Sequence, residues 1–371
     1  MKLYSRSLQL LFFLIITLFC STCSQQQTPI KIGMAINLSG RGGEAGEHIR
    51  DGALLAIEKI NSTGGINGRP LVLSIRDDQN SDEGIINSDQ SLINEGVVAI
   101  IGHSFSSNTV KSHPFVTSHD TLLITAYTAT TQLSQQDDLF FRTSVDCTLF
   151  GKKMALLLQH KNVHSVAFLM DMTNAAFVQD YADQIKKHFT GLTTSVKFSS
   201  NQQAHWGDLI NKLLKPQPDA VVLLTEASMT GVALQKIAAA DFTGKRIATI
   251  WAQTPELIRY GGNHTEDLSI VTFIDPNNNR PSYLSFSQEI EKKFHQKATA
   301  RSTRAYELVM ILANALKRCE TITSGELKKA LLAKEYDTLM GHVRFDPYGD
   351  VVRPVYEVIV REKQFYNNGE I

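Results

Sequence analysis

The apolar positions of the first third of the chain come in two alternating textures. Ile30–Ile36, 71–75, 97–101 and 122–124 are short, nearly unbroken apolar runs, as expected of strands buried on both faces. Between them the apolar residues fall at helical spacing: in 46–60 they include Ile49, Ala53, Leu54, Ala56, Ile57 and Ile60. Helices are therefore predicted over 46–60, 84–95 and 111–119, and the turn-forming stretch Asn61 to Gly65 stops the first of them.

The same alternation resumes after Arg142. It predicts helices over 150–159, 178–189, Trp206–Leu214 and 230–240, and strands over 165–170, 194–198, Ala220–Leu224, 247–251 and 268–273. Strands alternating with helices build parallel sheets, because parallel neighbours need a crossover. At 371 residues the chain exceeds one ordinary domain, and two α/β lobes of about 150 residues each are expected. The last hundred residues hold helices over 282–295, 303–319 and 324–333 but only one clear strand, 355–360. That is too little for a third sheet, so the segment completes the first two lobes and the chain must pass between them more than once.

The N-terminus differs from the rest. Lys2 and Arg6 precede an almost continuous apolar run over 8–19, too short to span a bilayer comfortably and fitting a signal peptide over 1–23. Export to an extracytoplasmic compartment follows. Cys23, followed by Ser24 and a Gln run, is a candidate for lipidation. Cys147 and Cys319 stand far apart in the body and read as unpaired thiols. Lys plus Arg equals Asp plus Glu at 37 each, which leaves no field to draw the molecule to nucleic acid.

Three motifs suggest enzymes, and each is incomplete. Gly40 to Ala45 follows a strand and opens a helix, like a dinucleotide fingerprint, but the acidic residue about 20 positions on is not at a strand end. Gly102-His103-Ser104-Phe105-Ser106 echoes a hydrolase nucleophile elbow, with Ser106 where glycine is wanted. His160 and His164 have ligand spacing but straddle a helix end. Two loops after consecutive strands, 104–109 and 125–131, are instead dense in small hydroxyls, and such strand-end loops suit a carboxylate or other small anion.

Ser39-Gly40, Gly46, Gly52-Ala53, Asn61 with Gly64 to Gly68, Asp77-Asp78, Ile101 to His103 with Ser106-Ser107, and Gly341 with Phe345-Asp346 and Gly349-Asp350 occur in order. In this the chain resembles the branched-chain amino-acid-binding protein family of ABC importers over about residues 30 to 360. The resemblance implies a type I periplasmic-binding fold of two lobes joined by three crossing strands, near 142–147, 273–276 and 340–345. One lobe would comprise 30–143 plus 275–340, the other 144–274 plus 341–371. It also implies closure on a ligand and delivery to a permease. Ser106 and the loop Tyr127, Thr128, Ala129 and Thr130 would hold the ligand carboxylate. The far side departs from the pattern: Ala45 and Ala175 replace covering aromatics, Gln253 stands at the position of the acid that meets the ammonium, and Arg301 stands at an apolar position. Asn80 and Phe105 replace two cysteines that pair in some members. Glu226 offers a displaced acid and Trp251 a stacking surface. An acidic or amidated amino acid, or a short organic anion, is therefore expected rather than leucine. The reading is a solute-binding protein without catalytic activity, cofactor or metal. A sensor of the same fold and an exported hydrolase using Ser104 are its rivals.

Overall fold

The structure is a computed structural model and describes residues 28–40 and 42–371; the expected signal segment and Cys23 lie outside the described residues. The first sheet is entirely parallel. It is built from β1 (Ile30–Ile36), α1 (Gly43–Ser62), β2 (Leu71–Asp77), α2 (Asp82–Asn94), β3 (Ala99–Gly102), α3 (Ser106–Ser118), β4 (Leu122–Thr125) and β5 (Phe140–Arg142), in strand order β2-β1-β3-β4-β5. The chain then runs through α4 (Cys147–His160), β6 (Ser165–Asp171), α5 (Ala175–His188), β7 (Leu192–Phe198), α6 (Trp206–Leu214), β8 (Ala220–Leu224), α7 (Ala227–Ala238), β9 (Lys245–Thr249), α8 (Pro255–Gly261) and β10 (Ser269–Thr272). Three helices, α9 (Pro281–Phe294), α10 (Ala300–Leu316) and α11 (Ser324–Leu332), come next, then the small antiparallel pair β11 (Tyr336–Thr338) and β12 (Gly341–Val343). The hairpin β13 (Tyr356–Arg361) and β14 (Gln364–Glu370) completes a second sheet of order β14-β13-β10-β9-β8-β6-β7. This is the two-lobed α/β architecture that the alternation predicts.

Each sheet has its own cores. One face of the first sheet packs on α1 and α10, with Ile32, Met34, Ile49, Ala53, Leu308 and Leu312 buried together. The two helices approach so closely that a Cβ on Gly52 would sit 2.1 Å from the carbonyl oxygen of Ser302. Phe345 and Val351 still pack in this first core, whereas Val355 joins the second.

Arg353 lies on that last passage and ties the three passages together. Its Nε donates to the Thr143 carbonyl oxygen at 3.0 Å on the first, and its guanidinium lies 5.4 Å from the Phe273 ring centroid on the second. Its Nη atoms pair with Glu307 of α10, the nearer at 2.5 Å, with both side chains buried.

Several elements differ from the prediction for local reasons. Helix α3 starts at Ser106, not 111, because its first turn is made of small polar residues. The predicted strand over 247–251 ends at Thr249; its hydroxyl accepts from Trp251 N at 3.4 Å and caps a 3₁₀ turn, Ile250–Ala252. Strand β14 is polar and half exposed, and its hairpin turn places Glu362 and Lys363 at φ 49° and 60° without the Asn or Gly that usually marks such a turn. Cys147 and Cys319 are free and buried.

Candidate functional site

In doubly wound sheets ligands gather beyond the carboxyl ends of strands, where the strand order reverses. Here the first sheet reverses around β1 and the second around β6. The two lobes turn these ends towards each other. A cavity between them is lined from the first lobe by Gly42 and Ala45 after β1, Asn80 after β2, and Ser104 and Phe105 after β3. The second lobe contributes Thr173 after β6, Ser200 and Asn201 after β7, Glu226 after β8 and Trp251 after β9. Arg301, in the first turn of α10, completes the lining. The cavity measures about 30 Å³ for the centres of water-sized spheres. One water needs about 10–15 Å³ by that measure, so the space as it stands has room for about two or three waters.

Two of its polar groups are poised for a partner. Arg301 and Trp251 are buried, and neither the Arg301 Nε nor the Trp251 Nε1 has a hydrogen-bond partner among the described residues. Burial pulls the Arg301 guanidinium below its ordinary value, against Glu256, Tyr127 and Glu226, which hold it up. The cavity lining thus includes a cationic residue and an indole whose buried N–H groups are unmatched. Its one lining acid, Glu226, caps α7, accepting from Ser228 N and Met229 N at 3.0 Å each and from the Ser228 hydroxyl. A carboxylate has about four acceptor sites, so it keeps capacity for a ligand ammonium.

Of the ligand-holding residues expected from the sequence, Glu226 and Arg301 line this cavity together with Trp251, whereas Ser106, Tyr127, Thr128, Ala129, Thr130 and Gln253 are not in its lining. Ser106 Oγ accepts from Ala129 N at 3.2 Å, and Thr128 Oγ1 lies 2.6 Å from Thr109 Oγ1. The Tyr127 hydroxyl donates to the Arg301 carbonyl oxygen at 2.9 Å, and its ring lies under the Arg304 guanidinium at 4.6 Å. Thr130 Oγ1 donates to Asp180 at 3.2 Å. Gln253 is bound on both sides, accepting from Thr272 Oγ1 at 2.6 Å and donating to the Ile274 carbonyl oxygen at 3.3 Å. Asn80, Thr173, Ser200 and Asn201 were not anticipated as site residues. Their sequence signal as site residues was a place just beyond a strand, shared with many turn formers, and Asn80 stood out only as replacing a cysteine.

The lobes are in contact across the cleft. Ser107 N donates to Asn174 Oδ1, and Ala176 N donates to Ser107 Oγ, both at 3.1 Å. Asp180 also accepts from Thr131 N at 2.5 Å, Phe105 meets Trp251 edge to face at 5.8 Å, and Glu44 pairs with Arg259 at the rim. The elbow around Ser104 has no catalytic geometry. The His103 ring points into the core, 2.6 Å from Asp78 and 3.3 Å from Asp89, while Ser104 Oγ accepts from Asn37 N.

The sequence profile of the periplasmic binding protein family matches residues 29–364. A leucine-, isoleucine-, valine-, threonine- and alanine-binding protein of Pseudomonas aeruginosa is 25% identical over 332 residues, covering 87% of each chain. Among solved structures, a leucine-binding protein of Thermotoga maritima superposes with a TM-score of 0.84 at 19% identity, over 92% of this chain and 98% of that one. An ABC-transporter solute-binding protein of R. palustris in complex with benzoate gives 0.83 at 14% identity, over 92% and 96%. These relatives are binding proteins, not enzymes.

Proposed function

The chain belongs to the periplasmic binding protein family, and from that premise we propose that it captures a small carboxylate-bearing solute between its lobes for an ABC importer. The observation that carries this reading is the pair of buried, unpartnered N–H groups on Arg301 and Trp251, two residues that line a cavity between strand ends of both lobes. Unpartnered buried donors are costly, and a carboxylate removes that cost. The relatives above are named for leucine and benzoate, which share a carboxylate and little else.

In this proposal Arg301 takes the carboxylate, Trp251 donates and covers the ligand, and Glu226 faces an ammonium where one is present. Ser106, Tyr127, Thr128, Ala129, Thr130 and Gln253 hold the strand-end loops from behind. With the carboxylate on Arg301, the rest of the ligand meets a largely polar lining of Asn80, Ser104, Thr173, Ser200 and Asn201, so an acidic or amidated amino acid or a short organic anion is favoured over a leucine-like one. The lobes are proposed as 30–143 plus 275–340 and 144–274 plus 341–371, with the last boundary moved beyond Val351, because Val343, Phe345 and Val351 pack in the first core and Val355 in the second. Only the closed arrangement brings Arg301 and Trp251 to one ligand, so binding shifts the population towards closure, and a permease at the extracytoplasmic face receives that form.

Calorimetry with glutamate, glutamine, benzoate and leucine tests the reading. Tighter binding of an acid or amide than of leucine is expected; leucine or valine binding tighter than glutamate would overturn the specificity.

A further inference from the structure

Beside the ligand cavity, three side chains converge where the lobes meet at the rim. Glu44 and His48 lie one turn apart on α1 of the first lobe, and Glu256 lies in the first turn of α8 in the second. Their ligating atoms are all within 4.8 Å of one another. His48 Nε2 stands 3.6 Å from Glu256 Oε1. That is long for a hydrogen bond and close to the edge, about 3.4 Å, of a tetrahedron of ligands around Zn²⁺. Glu256 is only 7% exposed, and neither of its carboxylate oxygens has a hydrogen-bond partner among the described residues. It faces the His48 ring and the charge of Arg301, and with no hydrogen bond made its lone pairs are open to an ion.

We propose that Glu44, His48 and Glu256 form a Zn²⁺ site that bridges the two lobes. The two carboxylates balance the charge of the ion, the imidazole favours a transition ion over Ca²⁺ or Mg²⁺, and the fourth position is open to water or solute. Glu44 exchanges its exposed partner Arg259 for the ion, a change confined to half-exposed side chains at the rim. Because Glu256 belongs to the second lobe and its co-ligands to the first, Zn²⁺ binds the closed form and draws the lobes together without any organic solute.

The test is calorimetric titration of chelator-stripped protein with Zn²⁺, with small-angle scattering on the same samples and Mg²⁺ as control. One ion per chain, a smaller radius of gyration, no response to Mg²⁺ and at least tenfold weaker binding in Glu44→Gln, His48→Ala and Glu256→Gln are expected. Glu44 is half exposed, so its variant reads the site even if Glu256→Gln perturbs folding. No zinc binding would overturn the proposal, as would binding that Glu44→Gln and His48→Ala leave unchanged. Binding that survives Glu256→Gln, or that produces no compaction, would show a one-lobe pair and overturn the bridge.

Discussion

Arg301 and His103 are both buried cations, and their surroundings decide opposite roles. Arg301 faces a cavity with its Nε unpartnered. Replacing it by alanine is expected to weaken binding of an acidic ligand by about 2–5 kcal/mol, read by calorimetry; unchanged affinity would remove it from the site. His103 is sealed between Asp78 and Asp89. Burial alone would lower its pKa, but hydrogen bonds and charge from the two aspartates outweigh burial and raise it to about 9. A group raised in the folded state stabilises fully below its unfolded value of 6.5 and loses that contribution as pH climbs through about 9. The loss amounts to roughly 3 kcal/mol. Urea denaturation across pH 6 to 10 checks it, and a flat profile in His103→Gln would assign the effect. Arg301 and Glu226 were legible as charged residues departing from a pattern. Asn80, Thr173, Ser200 and Asn201 were not, because small polar residues cap turns throughout the chain and only the facing of two sheets selects these.

At the scale of elements, apolar texture was a faithful guide for β1, β3 and β8, buried on both faces, but missed β5, which is buried throughout yet only three residues long. It failed where a segment is half exposed and polar, as in β14, or where short strands pair outside the main sheets, as in β11 and β12. The joints between lobes depend on long-range pairs that periodicity does not encode. The buried Glu307–Arg353 pair is one of these, and it touches all three passages. Glu307→Gln leaves Arg353 buried with a weakened partner, and a loss of about 3 kcal/mol is expected in urea unfolding. Gly52→Ala forces α1 away from α10 and is expected to cost about 1–3 kcal/mol, visible as a lowered thermal midpoint.

For the whole molecule, the contacts across the cleft set the balance between open and closed forms. Asp180 of α5 accepts from Thr130 and Thr131 of the first lobe. Asp180→Asn is expected to favour the open form and weaken the ligand several-fold, with little change in unfolding midpoint. The central claim is that the closed lobes surround a small carboxylate. A thermal-shift screen of residues 24–371 against acidic and amidated amino acids, small aromatic and aliphatic acids, polyamines and sugars tests it most directly. A carboxylate at 100 times its dissociation constant is expected to stabilise the native state by about 2.7 kcal/mol and raise the midpoint clearly. A shift given only by polyamines or sugars, with every carboxylate silent, would contradict the account.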